Sequence, residues 1–103
     1  MADHLLVCAD LGDSADYADA VKKATAYTAD GHKDFGAADT LAESALCYAT
    51  CKEHFQRDWY WTGVQPADDP GYAWIQSFDD GNQVWGHEGD RYRVFAVRRI
   101  PIQ

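Results

Sequence analysis

The segment YWTGVQPADDPGYAWIQSFDDG, which runs from Tyr60 to Gly81, decides how this chain folds. Large and polar residues alternate at its two ends, which predicts strands over residues 59–64 and 72–78. The middle, residues 65–71, is rich in Pro and Asp and predicts a loop. Asp79-Asp-Gly-Asn82 predicts a hairpin turn, because Asp-Gly and Gly-Asn pairs tolerate positive φ.

The residues outside this segment extend the hairpin into an α+β fold. Further strands are predicted over residues 83–88 and 91–100, and the apolar run His4–Ala9 predicts a strand at the start of the chain. Helices that are segregated from an antiparallel meander are typical of α+β domains. We therefore expect one domain, residues 1–103, with two N-terminal helices packed on a mainly antiparallel sheet of about five strands.

Two helices are predicted between the first strand and the meander. Asp10-Leu-Gly-Asp-Ser14 breaks the strand, and either Asp13 or Ser14 is suited to cap the first helix, which ends before Gly31. Its predicted buried stripe is Tyr17, Ala20, Val21, Ala24 and Tyr27. The second helix begins at the capping box Thr40-Leu-Ala-Glu43 and continues to about His54. Its predicted inner face is Leu41, Ala45, Tyr48 and Ala49, with Leu46 and Cys47 at the border.

The charge of the chain narrows the class of partner. Seventeen acids against nine bases give a formal charge of −8, whereas direct binding of nucleic acid through its phosphates favours a positive protein. An acidic chain is attracted to basic surfaces, including protein surfaces that normally hold nucleic acid. The same charge also serves simple solubility, which is the alternative.

The three cysteines, Cys8, Cys47 and Cys51, are an odd number, and no secretion signal precedes them. This predicts reduced thiols, a cytoplasmic location and no membrane insertion. Cys47, Cys51 and His54 share one helical face, with Cys8 or His87 as a fourth candidate metal ligand. A second Cys pair is missing, so packing of small apolar thiols is the favoured interpretation and no metal or cofactor is predicted.

No catalytic motif is recognisable in the sequence. The four histidines are scattered, and Gly-x-Ser-x-Gly, His-Glu-x-x-His and phosphate-binding glycine loops are missing. Two pairs of neighbouring acids lie in predicted turns, Asp68-Asp69 and Asp79-Asp80. Acids in such positions tend to point apart into solvent, which does not suit acid–base catalysis. Their spacing is also not that of a calcium-binding loop. The chain is therefore expected not to be an enzyme.

Tryptophans and aspartates supply the candidate binding residues. Large rings are needed to fill a small core, so Trp61 and Trp74 are predicted to be buried. Trp59 and Trp85 lie nearer element ends, where an exposed ring beside acids makes a good contact. The acids of the N-terminal third predict a negative ridge, although they also suit a solvated helix N-terminus. The predicted partner-binding residues are Asp10, Asp13, Asp16, Asp19, Trp59, Asp68, Asp69 and Trp85.

Two stretches of the chain resemble a known family. AVKKATAYTADGHKDFGAADTLAESALCYA, residues 20–49, and YAWIQSFDDGNQVWGHEGDRYRVFAVR, residues 72–98, together with Tyr60-Trp-Thr62, are similar to the DUF1566 family, also called the Lcl C-terminal domain. The resemblance implies a compact, reduced C-type-lectin-like fold. It implies no particular activity, because one fold hosts many kinds of binding site, and glycan or matrix binding occurs in parts of the family.

These features lead to one preferred hypothesis. The chain is expected to be a non-enzymatic, protein-binding inhibitor carried by a phage or mobile element. It would dock an acidic surface, a mimic of DNA, on the basic nucleic-acid-binding site of a host complex such as a CRISPR effector. The alternatives are a lectin-like domain that binds a glycan or other ligand, and a small structural component of a phage particle. The sequence leaves the oligomeric state open.

Overall fold

The structure, a computed structural model, describes residues 4–101, without the side chain of His4. Strands and helices follow one another in the order β1, α1, α2, a 3-10 turn, β2, β3, β4 and β5. Their bounds are His4–Ala15, Tyr17–Ala26, Leu41–Cys51, Lys52–His54, Trp59–Trp61, Tyr72–Ser77, Gln83–His87 and Tyr92–Pro101.

One five-stranded sheet in the order β1-β5-β2-β3-β4 organises the described residues. All neighbours are antiparallel except β2 and β5, which run parallel. The predicted α+β fold with a mainly antiparallel sheet is confirmed, and β1 joins the sheet as expected by pairing with β5. Both helices lie between the first strand and the meander as expected, but α2, at Leu41–Cys51, is in the middle of the chain, so the helices are not both N-terminal.

The predicted break after Ala9 is wrong, because β1 continues to Ala15. Asp10 pairs with Phe95 and Ser14 with Arg93, so the strand accommodates its extra residues as an irregularity. Gly12, at φ +79°, takes the left-handed conformation that this irregularity requires.

The predicted start of the first helix is wrong for the same reason. Asp13 and Ser14 lie within β1, and Asp16 is the N-cap of α1, where its carboxylate accepts from the Asp19 amide at 3.0 Å. Gly31 also does not end this helix. The chain leaves α1 at Tyr27, and Gly31 instead lies in a later turn at φ +82°.

Helix α1 packs on one face of the sheet, which we call the α1 face. Ala20 and Ala24 of the predicted stripe are buried, and the Trp61 indole Nε1 donates to the Ala15 carbonyl at 2.8 Å. Trp61 is 2% exposed, which confirms its predicted place in the core. The buried cluster on this face is Ala15, Ala20, Ala24, Phe35, Trp61, Ala73, Ile75, Val94 and Ala96.

Helix α2 packs on the opposite face, the α2 face, so the sheet lies between the two helices. The buried cluster there is Ala38, Cys47, Phe55, Tyr60, Phe78, Phe95 and Val97. The capping box forms, with the Thr40 hydroxyl accepting from the Glu43 amide at 3.0 Å. The Glu43 carboxylate reaches back one residue further than expected and accepts from the Asp39 amide at 2.9 Å.

The predicted inner face of α2 is wrong by about one residue step. Ser44 and Cys47 are the buried residues, whereas Ala45 and Ala49 are exposed. Two links turn the helix this way: the Ser44 hydroxyl donates to Gln76 at 2.8 Å, and Cys47 is bonded to a cysteine of β1.

That bond is a disulfide between Cys8 and Cys47, which corrects the prediction of reduced thiols. Disulfides persist mainly in oxidising compartments. Cys47 is therefore not free to ligate a metal with Cys51 and His54, and no cluster among the described residues has a donor set that would hold an ion. Within residues 4–101, no helix has the length and apolar character needed to cross a membrane.

Candidate functional site

Four rings on the α2 face of β3 and β4 lie beyond helix α2, two of them exposed and two half-buried. We call them the open aromatic patch: Tyr72, Trp74, Trp85 and His87. Trp74 and Trp85 are partners across the hairpin, with ring centroids 6.0 Å apart at 87°. Tyr72 lies 6.1 Å from Trp85 and 5.5 Å from His87. Trp85 is 49% exposed, so much of a large ring faces solvent.

The patch is open because α2 covers only the far end of this hairpin. The helix is held there by Ser44, which donates to Gln76, and by the Gln83 amide, which donates to the Leu41 carbonyl at 2.8 Å. Side chains alternate along a strand, so Trp74 lies on the same face as Gln76 but beyond the helix. The prediction that Trp74 belongs to the buried core is therefore wrong, and its ring is half-buried.

Three segments that carry acids are joined at the end of the hairpin where β3 begins and β4 ends, next to Tyr72 and His87. The segments are the start of α1, the loop before β3 and the turn after β4. The Tyr17 amide donates to the Glu88 carbonyl and the Glu88 amide to the Gly71 carbonyl, both at 3.0 Å. The Gln65 amide group joins the last two segments, donating to the Pro70 carbonyl at 3.2 Å and to the Glu88 carboxylate at 3.3 Å. We call these carboxylates the acidic end: Asp16, Asp19, Asp68, Asp69, Glu88 and Asp90.

None of the six acids of the acidic end forms an ion pair within residues 4–101. Some acids elsewhere are neutralised, for example Asp34 by Arg98 at 2.6 Å and Asp58 by Arg93 at 2.8 Å. The hydrogen bond from Arg98 lowers the pKa of Asp34, and that from Arg93 lowers the pKa of Asp58. The acidic end is thus a group of six acids without an ion pair at the end of the hairpin that carries Tyr72 and His87.

The electrostatic influence of this end reaches Tyr17. Burial raises the pKa of the Tyr17 hydroxyl, and the nearby Glu88 carboxylate raises it further. The hydroxyl donates to the Gly63 carbonyl at 3.3 Å. Tyr17 therefore remains a neutral donor that fixes α1 to the chain after β2.

The structure brings together five of the residues predicted from sequence to bind a partner and separates three. Those that lie in the acidic end or the open aromatic patch are Asp16, Asp19, Asp68, Asp69 and Trp85. Asp10 is half-buried and accepts from the Tyr60 hydroxyl at 2.9 Å, while Asp13 is paired with Lys23 at 3.0 Å. Trp59 is half-buried against the core of the α1 face.

Sequence reasoning missed the other members of this surface, namely Tyr72, Trp74, His87, Glu88 and Asp90. A usable signal was present in the predicted hairpin turn at Asp79–Asn82. A turn at those residues predicts a register with Trp74 opposite His87, and the observed register, shifted by two residues, places Trp74 opposite Trp85 and Tyr72 opposite His87; a shift of two leaves the same residues on the same face. The two pairs of rings then form one block on one face.

Two clefts lie elsewhere on the surface. A cleft of about 440 Å³ is lined by Gly12, Ser14, Asp58, Arg91, Tyr92 and Arg93. Its guanidinium groups are already engaged, because Arg93 binds Asp58 and Arg91 donates to the Ser14 carbonyl at 2.7 Å. The second, of about 390 Å³, is lined by Tyr48, Lys52, Glu53, Phe55, Arg57, Phe78 and Asp79, and Lys52 lies 5.0 Å above the Tyr48 ring. Neither brings a nucleophile beside a base.

The open aromatic patch and the acidic end together form an exposed surface of rings with a carboxylate rim. Exposed tryptophan and tyrosine rings supply contact area with little side-chain entropy to lose, and the rim supplies long-range attraction to cations. No protein-family model matches this chain, and no curated protein matches it significantly. The DUF1566 resemblance and its lectin-like fold therefore stay predictions.

Proposed function

We propose that this chain is a non-enzymatic protein-binding module that docks the acidic end and the open aromatic patch on a basic surface of another protein. One observation supports this most directly. Three segments far apart in sequence are held together by backbone hydrogen bonds, so that six acids without an ion pair in the described chain are grouped at the end of the β3–β4 hairpin that carries Tyr72 and His87.

The two parts of the surface have different roles in this proposal. The carboxylates raise the rate of encounter with a basic partner and select against acidic ones. The rings supply the short-range contact, and Trp85 is the expected hot spot because it is the most exposed large ring. A charge of −8 on a chain of 103 residues strengthens the first role.

The proposed target is a basic site that otherwise holds nucleic acid. Carboxylates arrayed on a rigid end imitate a row of phosphates, so the chain would compete with DNA for a host complex such as a CRISPR effector. An inhibitor carried by a phage or mobile element fits a small acidic domain of this kind. A cytoplasmic site of action is part of the proposal, and it requires the fold to tolerate reduction of Cys8–Cys47.

Salt and matched charge variants test the electrostatic role. The chain is measured by biolayer interferometry against a panel of purified DNA-binding complexes, CRISPR effectors included. We expect a member to bind, DNA to compete, and Kd to rise about tenfold between roughly 50 and 500 mM NaCl. Asp68→Asn with Asp69→Asn should weaken binding about three- to tenfold. The control, Asp30→Asn with Glu53→Gln, removes the same charge away from the acidic end.

A second pair of variants tests the rings. Trp85→Ala should weaken the same binding about 30-fold, because a central aromatic contact contributes about 2 kcal/mol. Leu5→Ala is the control, since Leu5 is 60% exposed on β1, at the opposite edge of the sheet from β4.

Two results would overturn the proposal. One is binding that ignores both salt and the Asp68–Asp69 substitutions. The other is partner binding that DNA does not compete away, which would place the contact away from a nucleic-acid site. Binding on a glycan array that Trp85→Ala abolishes would instead favour the lectin-like alternative, in which the same ring stacks on a sugar.

A further inference from the structure

Strand β4 lies at the edge of the sheet, and its outer side is not covered by another strand of the described chain. The hydrogen bonds at its two ends show which backbone groups face β3. The Ser77 amide donates to the Asn82 carbonyl at 2.8 Å, and the Glu88 amide donates to the Gly71 carbonyl at 3.0 Å. Because bonded and non-bonded pairs alternate in an antiparallel ladder, Val84 and Gly86 also bond to β3.

The backbone amides of Gln83, Trp85 and His87 and the carbonyls of Gln83 and Trp85 therefore point away from the sheet, whereas the His87 carbonyl accepts from the Asp90 amide at 2.9 Å. Edge strands usually carry a protective feature such as lysine, proline or a bulge. The sequence of β4, Gln-Val-Trp-Gly-His, has neither lysine nor proline, and its register with β3 is continuous. The strand thus presents a free hydrogen-bonding edge in the middle of the proposed docking surface.

Both ends of this edge are acidic. Asp79 and Asp80 lie in the turn before β4, and Glu88 and Asp90 lie in the turn after it. A second copy of the chain pairing antiparallel with β4 would bring the two acidic turns together, and like charges would oppose it. A segment with cationic residues at both of its ends would be attracted instead.

We propose that β4 binds an extended, basic segment of the partner protein, which adds as a sixth strand to the five-stranded sheet. This rests on the proposed function and names the mode of docking. Main-chain hydrogen bonds to Gln83, Trp85 and His87 give affinity, and the side chains give selectivity, as in other cases of strand addition. The inserted strand would contact Trp85 on one face and Val84 on the other, while its terminal Lys or Arg residues meet the acidic turns.

A synthetic peptide, acetyl-Lys-Arg-Thr-Val-Thr-Val-Thr-Arg-Lys-amide, is the probe. Titrated into ¹⁵N-labelled protein, it should bind with a Kd of roughly 100 μM and shift the amide signals of residues 83–87 most. The same peptide with its five central amides N-methylated has the same charge but cannot pair. It should bind at least about tenfold more weakly. A peptide with Glu in place of Lys and Arg should not bind.

Substitutions at His87 test the same main-chain hydrogen bonding from the side of β4. His87→Pro removes an outward amide without removing a bond to β3, whereas His87→Thr keeps that amide and loses the same ring. We expect His87→Pro to weaken peptide binding at least about fivefold relative to His87→Thr. Dispersion of the NMR spectrum shows that both variants fold.

Three results would overturn strand addition. They are equal binding of the methylated and unmethylated peptides, equal binding by the two His87 variants, and no binding of the basic peptide at all. If the methylated and unmethylated peptides bind equally and the amide signals that shift are those of the acidic end, the proposed electrostatic docking remains intact. Partner binding that ignores salt would end the proposed function whatever the peptide does.

Discussion

The α2 face of the sheet has two halves that are built from the same kind of side chain. In the closed half, Phe55 stacks on Phe78 with centroids 4.2 Å apart, and Tyr60 and Phe95 pack edge-on around them. In the open half, the rings of the open aromatic patch meet at 5.5–6.1 Å. Helix α2 and the segment after it cover the first half and end before the second. The cover, and not the ring contacts, distinguishes the core from the open half.

Gln76 marks the boundary between the halves. Its side chain is buried, accepts from Ser44 and from Gln83 at 2.8 Å each, and donates to the Gly81 carbonyl at 3.1 Å. A buried amide with every bond satisfied is costly to disturb and fixes the position of the helix. The network therefore decides where the helix stops covering the sheet, and so how much ring surface remains exposed.

The largest expected difference between the halves is in stability. Phe78→Ala should lower the free energy of unfolding by about 3–5 kcal/mol, because it removes a buried ring and leaves a cavity. Trp85→Ala should change it by less than about 1 kcal/mol, since half of that ring is already in water. Urea unfolding followed by far-UV circular dichroism measures both. Equal losses would show that the open half is core after all.

The disulfide anchors the closed half alone. Replacing Cys8 and Cys47 by Ala should lower stability by about 2–4 kcal/mol, because the bond closes a loop with a sequence separation of 39 residues. Cys51→Ala is the control, since Cys51 is free and half-buried.

Reductant should reproduce the effect of the double variant in the wild type and leave the double variant unchanged. If the reduced protein still folds at 37 °C, a cytoplasmic site of action remains open. A reduced wild type that is no less stable than the oxidised protein would contradict the anchoring role.

Disturbing the Gln76 network at the boundary should lower the free energy of unfolding by a smaller amount. Ser44→Ala should cost about 1–2 kcal/mol, because it removes one donor to a buried amide that keeps its other partner. Thr50→Ala is matched on the same helix, where the exposed hydroxyl bonds only to Leu46 and Cys51 nearby, and should cost less than about 0.5 kcal/mol. Signals of Trp74 and Trp85 that shift in Ser44→Ala alone would show that the network sets the edge of the open aromatic patch.

The strands were predictable to within about a residue where alternation and turn residues agreed. Residues 72–78 and 83–88 were expected, and β3 and β4 are Tyr72–Ser77 and Gln83–His87. The parallel pairing of β2 with β5 and the placement of the helices on opposite faces depend on contacts distant in sequence, which periodicity does not contain. Trp74 shows the limit most clearly. A strand pattern assigns it a face, but whether a helix covers that face is a tertiary property.

The candidate site was predictable as a set of residues but not as a place. Asp16, Asp68 and Trp85 were each identified as binding candidates from charge or position along the chain. Their convergence depends on the hydrogen bonds of Glu88 to Tyr17 and Gly71, which link three distant segments. The expected ridge through Asp13 does not account for Lys23, which is ten residues away in sequence and pairs with it. Local spacing identified the candidate residues, and tertiary contacts determine where they lie in the fold.

The smallest expected effect is a dependence of stability on acid pH at the edge of the closed half. Asp58 is paired with Arg93, its carboxylate accepts from the Trp59 amide at 2.8 Å, and its carbonyl accepts from the Phe78 amide at 2.9 Å. The guanidinium lowers the pKa of Asp58 in the folded state. A lowered folded-state pKa stabilises the fold above the unfolded pKa of about 4, and this contribution is lost as pH falls through the folded value.

Unfolding free energy should therefore decline below about pH 4, and Asp58→Asn should make that decline shallower while lowering stability at pH 7 only slightly. The pair is partly exposed, so about 1 M NaCl should weaken the difference between wild type and variant. An acid slope identical in both proteins would show that the ion pair does not hold the closed half. The difference between the halves would then rest on apolar cover and the Gln76 network alone.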